Sequence, residues 1–222
     1  MKSEIPREFF QALDHGSLEK VQDILLKNPR LPDMLTEQGI TTVMLAAYND
    51  QFGIASYLAS KKPELPVFEA AALGEVVQLK KVLERDPAQA NRIAADGFQP
   101  LGLACFFRRA EAARILVEAG AEVNAASQNA QRVAPLHSAV AGRSLEITRL
   151  LLEHGADVDL AQKGGYTVLH AAVQNEQLEM VELLLAHGAD PEKANDSGIT
   201  PRDLAKRSRN RALRQLLGVV EG

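Results

Sequence analysis

The sequence predicts an all-α solenoid, a stack of about seven helix-turn-helix units joined by short β-hairpin-like loops. Three observations lead to it. First, one pattern recurs: aligned on Phe9, Val43, Val67, Leu101, Leu136, Leu169 and Arg202, the intervals are 34, 24, 34, 35, 33 and 33 residues. A period of that size is the signature of stacked two-helix units. Second, the segment from Leu178 to His187 is apolar at Leu178, Met180, Val181, Leu183, Leu184 and Leu185. That is too much for a single stripe, so the helix needs cover on more than one side, which only neighbouring units supply. Third, three units end in the same device, AGAEVN (Ala119 to Asn124), HGADVD (His154 to Asp159) and HGADPE (His187 to Glu192). The glycine in each suits the left-handed position that follows a helix end.

Taken in order, unit one (Phe9 to Pro29) is a short helix, a turn at Gly16 and a longer helix, with Ser3 expected to cap its entry and Pro6 tolerated in the first turn. Unit two keeps Gly39, Thr41, Ala46 and Ala47, then runs into KKPELP, where Pro63 and Pro66 close off any helix. Unit three restarts at once, so the connecting loop is abbreviated. A gap in the row of loop tips is expected there, acting either as a kink or as a notch. The longest interval places an irregular tip over Ser127 to Val133. Unit seven is degenerate and basic, with Lys206, Arg207, Arg209, Arg211 and Arg214. From Gly198 to Gly222 there are six basic and two acidic residues, which leaves −8 for the rest of a chain of net charge −4. A terminal unit needs a polar outer face, which is the preferred reading of this stretch; a nucleic-acid patch would be stronger with interleaved aromatics, and none are present. The expected organisation is one array over residues 1–222, with N-terminal units and the abbreviated loop in 1–65 and regular repeats plus a C-terminal cap in 66–222.

Gly-x-Thr-x-Leu-His-x-Ala, a helix hairpin and then Leu-Leu-x-x-Gly-Ala-Asp at a period near 33 resembles the ankyrin repeat. The likeness is strongest at Pro135, Leu136 and His137, at Thr167, Leu169 and His170, and at Thr200 and Pro201. Units one and three lack the signature tetrapeptide, and Met44 stands at the histidine position of unit two. The resemblance implies a non-catalytic protein-binding module that engages its partner through a concave face made of loop tips and the ends of the first helices. It also implies that His137 and His170 tie the turns together by hydrogen bonds. Asn124 resembles sites of asparagine hydroxylation in that family.

Composition agrees with a chain that has ample core, at 46% hydrophobic and 24% charged residues. The net charge gives no general pull towards nucleic acid or an acidic membrane, and no apolar run reaches the roughly 18 residues a span requires. The charged N-terminus shows no secretory signal, and a single cysteine excludes an intramolecular disulfide, so a cytoplasmic protein is expected. No phosphate-binding glycine loop, Cys-x-x-Cys or His-Glu-x-x-His occurs. No enzyme activity, cofactor, metal, nucleic acid or membrane is therefore expected, and the chain should be a monomer. His154 and His187 precede helix-ending glycines and read as end caps rather than as a metal pair. Cys105 takes an alanine position and reads as a buried, inert thiol; a reactive thiol serving an enzyme is the alternative, as is a structural protein that self-associates.

A stripe of large apolar residues is left that the fold does not require: Tyr48, Leu73, Phe98, Phe106, Phe107 and Tyr166. The chain has ten aromatic residues, and five of them fall on this stripe. Exposed clusters of that kind mark interaction sites. The expected partner-binding surface spans units two to five with Phe106 and Phe107 as anchors and Arg108, Arg109 and Arg132 at the rim. The competing expectation is that Phe106 or Phe107 turns inward to fill space beside the abbreviated loop.

Overall fold

The computed structural model describes residues 5–219. Seven helix pairs follow one another. The first helices are α1 (Arg7–Asp14), α3 (Thr42–Tyr48), α5 (Val67–Leu73), α7 (Pro100–Phe106), α9 (Pro135–Ala141), α11 (Val168–Gln174) and α13 (Pro201–Arg207). Their partners are α2 (Leu18–Lys27), α4 (Phe52–Ala59), α6 (Val76–Arg85), α8 (Ala110–Glu118), α10 (Leu145–Glu153), α12 (Leu178–Ala186) and α14 (Arg211–Leu216). From α3 to α13 first helices pack on first helices, second helices pack on second between α2 and α4 and from α6 to α14, and one apolar core runs from Phe9 to Leu217. The expected capping by Ser3 lies outside the described residues.

The register is fixed by one repeated bond. After each of the first six first helices the chain reverses, and an amide donates back to a buried alanine carbonyl five residues earlier: Ser17 to Ala12, Gln51 to Ala46, Glu75 to Ala70, Arg109 to Ala104, Ser144 to Ala139 and Gln177 to Ala172. The reversal needs a left-handed residue four positions after the alanine. Gly16 and Gly74 supply it in two units, whereas Asp50, Arg108, Arg143 and Glu176 adopt it with φ of 59°, 57°, 57° and 50°. Side chains bear a cost of about 1–2 kcal/mol in that region.

No strand forms among the described residues; the hairpin-like character of the loops lies in closed turns. Thr36 donates to Ile40, Ala94 to Phe98, Gln162 to Tyr166 and Asn195 to Ile199. In the irregular tip Ser127 donates to Val133, a closure six residues wide instead of four. Arg132 there occupies the left-handed place held by glycine in the other tips, with φ of 53°. Successive tips are also bonded: Gln128 donates to the Gly97 carbonyl, Lys163 to Gln131 and Asp196 to Gly164. A Cβ on Gly97 would lie 2.8 Å from the Asn129 nitrogen, so glycine is required there.

The gap expected in the tip row is closed. With no tip on unit three, the tips of units two and four meet, so that a Cβ on Gly39 would stand 3.1 Å from the Ala95 Cβ. The Tyr48 hydroxyl donates to Asp96 Oδ2 at 2.5 Å across the same junction. Behind the meeting tips a cavity of about 380 Å³ remains, lined among others by Asp33, Lys62, Leu65, Phe68 and Val82. Lys62 is buried beside it and pairs with Glu69 at 2.9 Å and Asp33 at 3.2 Å. Burial raises the Glu69 carboxyl above its usual range, with the Lys62 hydrogen bond opposing. The abbreviated loop thus leaves a hollow of mixed polar and apolar lining beside Lys62 and no break in the row itself.

Candidate protein-binding surface

Three first helices, α3, α11 and α13, are set by a threonine at the N-cap. Thr41 accepts from the Met44 amide at 3.1 Å, and Thr200 forms a reciprocal box with Asp203, accepting its amide at 3.1 Å while donating to its carboxylate. In unit six the Thr167 amide and hydroxyl both donate to His170 Nδ1, at 3.1 and 2.8 Å. Nδ1 must then be the bare nitrogen, so Nε2 carries the proton and donates to the Ile199 carbonyl of the next tip at 3.0 Å. His137 repeats half of this. Its Nε2 reaches the Tyr166 carbonyl at 3.3 Å, but Ala134 replaces the threonine and Nδ1 is buried without a partner. Burial lowers its pKa, partly offset by the Tyr166 bond. Both histidines are occupied by structural bonds. His154 and His187 donate from Nδ1 to the Leu150 and Leu183 carbonyls at 2.8 Å, as end caps do. Among the described residues no cluster of side chains is arranged to hold a metal.

Cys105 is fully buried on α7, and burial pushes its thiol far above the ordinary range. Burial of this kind disfavours the thiolate, the form in which a cysteine reacts.

The turns after the first helices form the surface on which most of the expected binding residues lie. Tyr48, Phe106 and Phe107 come together although a whole unit separates the first from the others. The Tyr48 ring lies 5.4 Å from Phe107 and 6.4 Å from Phe106, and Phe106 meets Phe107 edge-on at 5.0 Å. Their meeting is possible because unit three offers only Ala72, Leu73 and Gly74 at the intervening turn. Leu73 is half-buried there.

The two phenylalanines part ways. Phe106 is 47% exposed, whereas Phe107 is 7% exposed, with Phe52 edge-on to its ring at 5.8 Å. Phe107 is therefore a core residue and not an exposed anchor: it fills the space above the small residues of unit three and holds Phe106 outward. Arg109, expected at the rim, is also drawn in. Its Nε donates to the Ala72 carbonyl at 3.0 Å and its guanidinium lies 4.6 Å above the Phe52 ring. Burial, reinforced by the bond its hydroxyl gives to Asp96, raises the Tyr48 pKa.

The other expected residues are more dispersed. Phe98 is a half-buried tip residue whose amide donates to Asp96 Oδ1 at 3.0 Å. Tyr166, also half-buried, is edge-on to His170 at 5.4 Å. Arg108 and Arg132 are exposed, and neither takes a side-chain hydrogen bond or ion pair among the described residues. Arg143 was not anticipated, although it holds in unit five the position Arg108 holds in unit four. It is exposed and reaches only the Asn175 carbonyl, at 3.4 Å. Phe52 and Asp96 were missed as well, since their roles depend on contacts across two units.

A family model described as "Ankyrin repeats (3 copies)" matches residues 9–127 and 124–195. The chain belongs to the ankyrin repeat family. No curated protein matches it. Ankyrin repeats are in general protein-protein interaction modules. Unit seven lies beyond the matched residues but keeps the helix pair and the Thr200 cap. No described helix is long and apolar enough to cross a membrane.

Proposed function

We propose that this ankyrin repeat array is a non-catalytic, monomeric adaptor or stoichiometric inhibitor that binds a protein partner through its concave face at units two to five. The observation that supports this best is Phe106. It is a large apolar side chain left half in water at the centre of a surface whose other rings, Tyr48 and Phe107, are packed beneath it. An anchor held in one orientation loses little freedom on binding, which favours affinity. Leu73 lies half-buried at the intervening turn, Phe98 and Tyr166 are half-buried at separate loop tips, and Arg108 and Arg132 are exposed.

Pull-down from native extract tests this reading with wild type, Phe106→Ala, Arg108→Glu and a control, Leu26→Ser, on the outer surface of α2. Leu26 is 82% exposed, so the control changes a surface far from the turns. The reading expects one set of captured proteins that is lost with the first two variants and retained with the control, alongside a monomeric mass in light scattering. Capture that follows Leu26 would place the contact on the outer surface, and a stable dimer in solution would favour self-association.

A further inference from the structure

Units four and five carry a short cationic step beside the exposed Phe106. Arg108 lies on the turn of unit four, and its stem packs on Gly142, where an added Cβ would meet the Arg108 Cγ at 3.2 Å. Arg143 lies at the equivalent turn of unit five. Next to Phe106 in the row, unit five presents only the small residues Ala141 and Gly142, the latter under the Arg108 stem. No acid among the described residues neutralises either cation. Both arginines sit in the left-handed conformation that Gly16 and Gly74 fill elsewhere.

We infer that this step receives an extended acidic-apolar peptide segment of the partner: one large apolar side chain laid against Phe106 over Ala141 and Gly142, with carboxylates close to it in sequence paired to Arg108 and Arg143. The inference rests on the binding face proposed above and deepens it. The size of the step argues for a short segment. Adjacent units are about 8–10 Å apart, which an extended chain covers in about three residues at roughly 3.3 Å each. The flanking turns argue against a long polyanion such as a nucleic acid. The same left-handed position is Asp50 in unit two and Glu176 in unit six, so negative charge bounds the step on both sides. A phosphate backbone tracking the row would run into both, whereas a peptide with acids confined to its centre would not. Exposed pairs of this kind steer association and set specificity, and they weaken with salt.

The test is selection of short random peptides on the full-length protein, followed by fluorescence anisotropy of the enriched sequences. The inference expects enrichment of one aromatic or leucine residue with Asp or Glu within two positions, and affinity that falls as salt is raised. Arg108→Glu/Arg143→Glu should weaken these peptides about tenfold or more, with Arg108→Lys/Arg143→Lys retaining most of the affinity and Leu26→Ser all of it. Melting temperatures near wild type would show the variants folded. Enriched peptides that are neutral or basic, that ignore the charge reversal yet are lost with Phe106→Ala, would overturn the acidic specificity and leave the binding face standing. Peptides indifferent to every inner-face substitution would overturn both. A labelled single-stranded oligonucleotide that binds more tightly than the peptides, or a selection without enrichment, would overturn the inference.

Discussion

Replacing Phe106 and Phe107 separately by alanine distinguishes an anchor from its support. Phe107 is 7% exposed and touches three other rings, so its removal creates a cavity beneath the turn of unit four. Fully buried Phe→Ala changes cost about 3–5 kcal/mol. Phe106 is 47% exposed, so its burial contributes about 1 kcal/mol, with up to about 1 kcal/mol more from its ring contacts. In a chain of this size each kcal/mol moves the melting temperature by about 2–4 °C. Phe107→Ala should therefore melt roughly 12 °C below wild type and Phe106→Ala roughly 5 °C below. Urea unfolding followed by circular dichroism gives the free energies directly. Similar losses for both variants, or a greater loss for Phe106, would refute the assignment of Phe107 as core and Phe106 as the exposed member.

Three further outcomes follow from single bonds. Ala134→Thr restores the Thr-Pro-Leu-His set of unit five and gives the orphaned His137 Nδ1 the hydroxyl donor that His170 receives from Thr167; it should stabilise by about 1 kcal/mol in urea unfolding. The Asn124 side chain bridges to the next unit twice, accepting from the Asp157 amide at 2.8 Å and donating to the Gly155 carbonyl at 3.0 Å, while the Asp159 carboxylate at the equivalent place accepts only from the Asp190 amide. Asp159→Asn should add a bond to the Gly188 carbonyl and slow amide exchange at the junction of units five and six. Finally, the Lys206 hydrogen bond and the Thr200 cap hold the Asp203 carboxyl at about 2, below its ordinary 3.8. A depressed carboxyl stabilises the fold above its unfolded pKa, and that contribution disappears as pH falls through the folded value. Amide protection in α13 should therefore decline between pH 3.8 and about 2, and Asp203→Asn should remove that dependence.

Much of this fold was legible because it is local and repeated. The spacing Phe9, Val43, Val67, Leu101, Leu136 and Leu169 coincides with the spacing of the alanine carbonyls that close the first six turns. The caps at Thr41 and Thr200 could likewise be read from a few adjacent residues. What could not be read depends on contacts between units that are not neighbours in sequence. Phe106 and Phe107 are consecutive at a helix end, and only the packing of Tyr48 and Phe52 from unit two decides which faces inward. The abbreviated loop predicted a break in the tips, but the absence of one tip let the tips beside it meet, with Tyr48 and Asp96 bonded across the junction. Arg143 carried a usable signal, its equivalence to Arg108, which a search for large apolar residues passed over.

The most direct measurement is hydrogen-deuterium exchange of the full chain with and without a selected peptide. The account predicts added protection confined to the turns around residues 104–109 and 139–144, with the outer surfaces of α2 and α6 unchanged. Protection on α2 or α6 with none at those turns would contradict it.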